Sequence, residues 1–228
     1  IKYSSDNSTW GDTIPSQTTA GTYTSYWKII GDSNHNDKAS ASIETTIAKK
    51  ALNASVSITG CNYGDTANSP SVSGNDGNGT VTYNYKLSSA ADSTYSATVP
   101  TNAGNYTVRA VIDTTTIYLG TAVTTTFAIA KVDVTYTAPT IKQNLVYNGS
   151  AQNLLNAGTV TGGTMKYSKD EVTWSTSIPQ STNAALYTSY WRIDGDSNHN
   201  NYSGGMLSTR ISKATGSATI SSVTSDTT

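Results

Sequence analysis

The chain has 228 residues, a net charge of −1 and 13% charged residues, about half the usual globular share. That balance gives no electrostatic case for nucleic acid or an anionic membrane as partner, and no apolar run near 18 residues exists to form a spanning helix. The single cysteine, Cys61, excludes an internal disulfide and is expected to be a buried structural thiol.

Taken in chain order, the segments alternate with the period of strands. In TYTSYWKII, which starts at Thr22, Tyr23, Ser25, Trp27 and Ile29 fall on one face, and Thr24, Tyr26 and Lys28 on the other. Sharing a face with Ile29 places Trp27 in the core, as sharing one with Ile193 places Trp191. The loop GDSNHND follows at 31–37, and TTIAKK closes the segment at Lys50. ASVSITG then alternates Val56 and Ile58, Asn-Asp-Gly-Asn-Gly at 75–79 marks a turn, and NYTVRAVI points Tyr106, Val108, Ala110 and Ile112 inward. Beyond Lys131 come an Asn-Gly turn at 148–149, a Gly-Gly turn at 162–163 and the strand LYTSYWRI. QNLLNAG at 152–158 is the one place where a short helical turn is expected. β-branched residues throughout favour strands over helices.

The chain also repeats itself. Ile1–Lys49 aligns without a gap to Met165–Lys213, an offset of 213 − 49 = 164. Lysines mark the joints, because 131 − 49 and 213 − 131 both equal 82. Residues 50–131 are therefore a diverged copy of the same length, and GTVTY at Gly79 matches GTMKY at Gly163. The expected organisation is the C-terminal part of a repeat at 1–49, a variant repeat at 50–131, a full repeat at 132–213 and the start of a further repeat or tail at 214–228. Residues 1–49 have no counterpart of 132–164, so the sequence reads as a fragment of a longer array. A neighbouring chain lending strands, or a complete protein with unusual ends, are the other options.

About 82 residues with some seven short strands make a small sandwich, large enough for one core. The expected fold is all-β, with tandem immunoglobulin-like β-sandwich modules arranged in line. Ala-Gly-x-Tyr ahead of an alternating strand reads as a tyrosine corner, with Tyr23, Tyr106 and Tyr187 as the corner residues. Gly21 corresponds to Ala185, so that turn is not expected to require a positive φ.

The pieces VYNGSAQN, TGGTMKYS, a Trp before Ile-Pro, AGTYTSYW, GDSNHN and TTIAKK resemble the Ig-like repeats of bacterial cell-surface adhesins, including MBG and YDG-type modules. The middle copy, with TGCNYGDT and VPTNAGNYTV, looks like a variant of the same module. The resemblance covers nearly the whole chain. It implies a secreted, extracellular cell-surface location, no cofactor, no catalytic residues, and neighbouring repeats of the same chain as partners.

Several constellations compete with that reading. Asp32, Asn34 and Asn36, like Asp196, Asn198 and Asn200, are spaced as alternate oxygen ligands of a calcium loop. The rest of the loop fails, because the sixth position is Asp37 or Asn201 and the twelfth is Ile43 or Leu207. A hairpin loop of Asx turns, with His35 and His199 exposed, is the favoured reading. Each of the two histidines occupies the same place in a different copy, and no Gly-x-Ser-x-Gly elbow is present, so an enzyme is not expected. Lys49, Lys131 and Lys213 near strand ends suit an isopeptide cross-link to Asn, although their position at the joints favours a linker role. Tyr26, Tyr190, Trp10 and Trp174 are the candidates for stacking on a ligand such as a sugar ring.

The leading expectation is a structural stalk segment presenting a distal domain away from the cell, its joints free of Gly or Pro runs. One alternative is a multivalent module binding carbohydrate or glycoprotein, with host or environmental glycans as partners. Another is an accessory region of a secreted polysaccharide-degrading enzyme.

Overall fold

A computed structural model of the chain describes residues 1–217, so residues 218–228 of the expected further repeat lie outside the described residues. The alternating segments form strands, and the only helical piece among the described residues is the 3-10 turn Asp92–Thr94. The fold is all-β, with several sheets in β-sandwich-like arrangements. Among the described residues no helix is long and apolar enough to cross a membrane.

The chain forms two compact units. The first contains Ile1–Gly60, Thr66–Pro100 and Asn105–Ala128. The second contains Cys61–Asp65, Thr101–Gly104 and the chain from Ile129 on.

In the first unit, Lys2–Ser4, Gly21–Ile29 and Lys38–Ile47 make an antiparallel three-stranded sheet. Ser55–Ser57 pairs with Ser71–Ser73, and Val81–Leu87 pairs with the strand that runs to Ile112. The core built by residues 56–127 holds Val56, Tyr85, Val108 and Ala110, with Ile58, Val72 and Phe127 packed against them. Tyr106 and Ile112 are buried with them, as the period of NYTVRAVI requires. Each large aliphatic side chain buried in this way contributes about 1.5–3 kcal/mol.

In the second unit, Gly163–Ser168, Leu186–Gly195 and Tyr202–Ser212 form an antiparallel sheet, and Leu145–Val146 adds a parallel edge to Ile211 and Ser212. Over it lie the pairs Thr135–Thr137 with Thr159–Thr161 and Thr140–Ile141 with Leu155–Asn156. The core packs Met165, Tyr167, Trp191, Ile193 and Ile211 of the sheet against Val134, Leu154 and Leu155. Thr209 is buried and donates its hydroxyl to Leu154 O at 2.8 Å. The buried Ser189 Oγ has no hydrogen-bond partner among the described residues.

Three expectations need correction. Residues 152–158 form no helical turn, because Gln152–Asn153 pairs with Gln180–Ser181 and Leu155–Asn156 pairs with Thr140–Ile141. The chain changes sheet between the two pairings, which lets the adjacent Leu154 and Leu155 both enter the core. Cys61 is only half-buried, since it sits in the two-residue edge strand Cys61–Asn62, which pairs in parallel with Ile129 and Ala130. Trp191 is core, but Trp27 is half-buried because the sheet carrying it has one uncovered face.

Candidate functional site

The candidate aromatics stand on a hairpin that the two copies build in the same way. Ser4 Oγ donates to Asp6 Oδ1 at 2.7 Å, and the same carboxylate oxygen accepts the N–H groups of Ser8 and Thr9. At the offset of 164, Ser168 Oγ donates to Asp170 Oδ1 at 2.8 Å, which accepts from Val172 and Thr173. Backbone donors aimed at a carboxylate favour its charged form. The N–H groups of Thr9 and Thr173, ahead of their neighbours, hold both Asp carboxyls well below the usual carboxylate range. The loop then returns to the sheet through the bridges Tyr3–Gly11 and Tyr167–Ser175.

The ring before each bridge lies under a cation. Lys28 Nζ is 4.3 Å from the Trp10 ring centre, and the Arg192 guanidinium is 4.5 Å from that of Trp174. The middle copy has the same pair, with Arg109 4.0 Å from the Tyr95 ring, beside the bridge Tyr85–Ser96. Each contact adds about 0.5–1 kcal/mol at a partly exposed site and pins the hairpin to the sheet. The cationic partners escaped the sequence reading, although one signal was visible: a basic residue follows the inward Trp27, Val108 and Trp191 in all three copies.

Trp174 and Tyr190 come together, with Glu171, Gly204 and Met206, around a depression of about 450 Å³. Trp174 Nε1 donates to Glu171 O at 3.1 Å, so its polar edge is already satisfied. Tyr26 and Trp10 are half-buried at the corresponding positions of the first copy. Beside the depression, Asp194 lies between Lys166 at 2.7 Å and Arg192 Nε at 2.9 Å, the latter without the angle of a hydrogen bond. The Lys166 ammonium holds the Asp194 carboxyl below its ordinary range. Ile30 occupies the Asp194 position in the first copy, so this ion cluster belongs to one copy alone.

The GDSNHN loops are closed by their own side chains. Asp32 Oδ1 accepts the Asn34 N–H at 2.8 Å and contacts His35 Nδ1 at 2.8 Å. Asp196 Oδ1 does the same with Asn198 and His199, at 2.8 and 2.7 Å. A Cβ on Gly31 would fall 1.9 Å from His35 O, and one on Gly195 2.4 Å from His199 O, so only glycine lets the loop fold back on itself. Asn198 Oδ1 accepts the Ala103 N–H at 2.8 Å, Asn200 Nδ2 donates to Asp133 at 2.9 Å, and Asn34 and Asn36 are exposed. Of the oxygens spaced for a cation, those of Asp32, Asp196 and Asn198 are thus engaged in Asx turns and in packing. Among the described residues no group of three or more His, Cys, Asp or Glu side chains could hold a metal ion. His35 is exposed, but His199 is not. Its ring meets Tyr63 edge-on at 5.4 Å, and Lys131 Nζ donates to the carbonyls of Asp196 and His199. No local pattern of residues signals the Tyr63 contact, which joins residues far apart in the chain.

Tyr23 and Tyr187 bond back to the backbone upstream. Tyr23 Oη donates to Thr19 O at 2.9 Å and Tyr187 Oη to Asn183 O at 2.8 Å. Tyr106 is buried and stacks on Phe127 at 5.7 Å. Gly21 has no positive φ, which fits an alanine at the same place in the other copy.

No protein-family model and no curated protein matches the chain.

Proposed function

We propose that the chain is a structural stalk segment, made of tandem immunoglobulin-like repeats of a secreted bacterial cell-surface protein of the adhesin type. In this reading it carries a distal domain away from the cell and performs no catalysis. One observation carries the proposal: several of the polar and aromatic side chains that recur at the offset of 164 are engaged by the fold itself. Ser4 and Asp6, Tyr23, the Asp32–His35 pair and the Lys28–Trp10 contact return as Ser168 and Asp170, Tyr187, Asp196–His199 and Arg192–Trp174. A ligand site copied between repeats would keep donors and ring faces open to solvent, whereas here they brace loops and strand entries.

The depression between Trp174 and Tyr190 supports a second reading, in which the repeats bind glycan through stacked rings. A glycan array probed with the full chain separates the two. The stalk reading expects no retention. Retention on defined sugars that Trp174→Ala and Tyr190→Ala abolish, with unfolding midpoints near that of the parent, replaces it with the binding reading.

A further inference from the structure

The sheet Lys2–Ser4, Gly21–Ile29, Lys38–Ile47 exposes a face that its counterpart buries at Ser189, Trp191, Ile193 and Thr209. Cross-strand pairing puts Tyr23 with Thr45, Ser25 with Ile43 and Trp27 with Ala41 on that face. The counterparts are Tyr187 with Thr209, Ser189 with Leu207 and Trp191 with Gly205, and both sheets shift register after the tryptophan. Ile193 is 0% exposed, but Ile29 is 37% and Ile43 62%. What covers the second face is explicit: Val134, Leu154 and Leu155, with Tyr136, Leu145 and Val160 beside them.

We infer that the open face of the 2–47 sheet is a docking surface for one polypeptide layer of the same chemistry as residues 134–160, joined in series to the sheet as those residues are joined to Gly163–Ser168. Three vacant positions match that layer. The first is an edge. Leu145–Val146 pairs in parallel with Ile211–Ser212, and Cys61–Asn62 pairs in parallel with Ile129–Ala130, 82 residues earlier. A further 82 residues back lies Ile47–Ala48, whose outer edge has no strand among the described residues. The second is also backbone. Gln180–Ser181 pairs with Gln152–Asn153, and Leu154 N–H donates to Pro179 O at 2.9 Å. The equivalents Pro15, Ser16 and Gln17 are in no strand. The third is a hollow of about 470 Å³, lined by Pro15, Gln17, Tyr23, Ser25, Thr45 and Ile47. Thr45 stands where Thr209 donates to Leu154 O, so the hollow has both the room and the donor for the carbonyl and side chain of an incoming leucine. An unpaired edge beside an uncovered apolar face is the arrangement that strand addition completes.

The test joins a copy of residues 132–164 directly ahead of Ile1 in the full chain and follows amide hydrogen exchange at Ser25, Trp27, Thr45 and Ile47. These amides are expected to slow by about tenfold or more, toward the rates of Ser189, Trp191, Thr209 and Ile211. The same extension carrying Leu154→Asp and Leu155→Asp in the added copy is expected to leave them fast. Unchanged exchange in the first extension overturns the inference, as does equal slowing in the second. Protection that rises with concentration in the unextended chain overturns it in favour of a second copy as the occupant. None of these outcomes bears on the stalk reading, because the inference rests on the paired positions alone.

Discussion

His35 and His199 make the same hydrogen bond to the same loop aspartate, yet the His35 side chain is 78% exposed and that of His199 16%. The difference comes from what surrounds the second loop. Tyr63 meets the His199 ring, Ala103 donates to Asn198, and Lys131 donates to the loop carbonyls. An identical hexapeptide is thus a free hairpin loop in one setting and a packed element in another. Diethyl pyrocarbonate is expected to modify His35 several-fold faster than His199, and Tyr63→Ala to narrow the gap by exposing His199. Equal rates in the parent chain, read by peptide mass spectrometry, would contradict the packing described for the second loop.

The two tryptophan strands allow a matched pair of truncations. Ile193→Ala empties a fully buried site and is expected to cost about 2–5 kcal/mol. Ile29→Ala removes the equivalent side chain from a face that solvent reaches, and is expected to cost about 1 kcal/mol or less. Urea unfolding of both variants provides the check. Similar losses would mean that the first sheet is covered as fully as the second.

The hairpin carboxylates set a pH dependence. Asp6 and Asp170 are held below the ordinary carboxylate range by the N–H groups of Thr9 and Thr173. A group whose folded pKa is depressed binds its proton more readily in the unfolded chain. Its contribution is therefore present in full above the unfolded value near 4, and is lost as pH falls toward the lower folded value. Asp170→Ala is expected to lower the urea midpoint at pH 7 and to differ progressively less from the parent as pH drops from about 4 to 2. A deficit of constant size across that range would show that the carboxylate charge does not matter.

The same hairpin contains a strained residue. Glu171 has φ +62° and Asn7, its equivalent, φ +57°. Asn tolerates the left-handed region better than Glu does, where the cost is about 1–2 kcal/mol. Glu171→Asn is expected to raise stability by about 0.5–1 kcal/mol. The indole bond should survive, because Trp174 Nε1 uses the backbone carbonyl of residue 171. A lower unfolding midpoint for this variant would contradict the strain argument.

Much of the fold was legible in the residues. The period of NYTVRAVI placed Tyr106, Val108, Ala110 and Ile112 inward, and all four are buried. That signal is local, because alternate side chains of a strand share a face wherever the strand lies. Leu154 and Leu155 misled for the opposite reason. Two adjacent leucines fit no strand period, and only the change of sheet between Asn153 and Leu155 explains their joint burial. Trp27 was misjudged because its own strand pattern equals that of Trp191, while its burial depends on a layer elsewhere in sequence. The site followed the same division. The Asx turns of Asp32 and Asp196 and the bonds of Tyr23 and Tyr187 to the backbone upstream join near neighbours in sequence, whereas the contact of Tyr63 with His199 does not.

Single-molecule stretching of the full chain tests most directly whether these repeats act mechanically. The core from Val134 to Ile211 and the core from Val56 to Phe127 share no residue, so the proposal expects separate, discrete unfolding events. It also expects Ile193→Ala to weaken one of them and leave the other at its original force. Extension at low force without discrete events, or a single event that Ile193→Ala abolishes entirely, would contradict it.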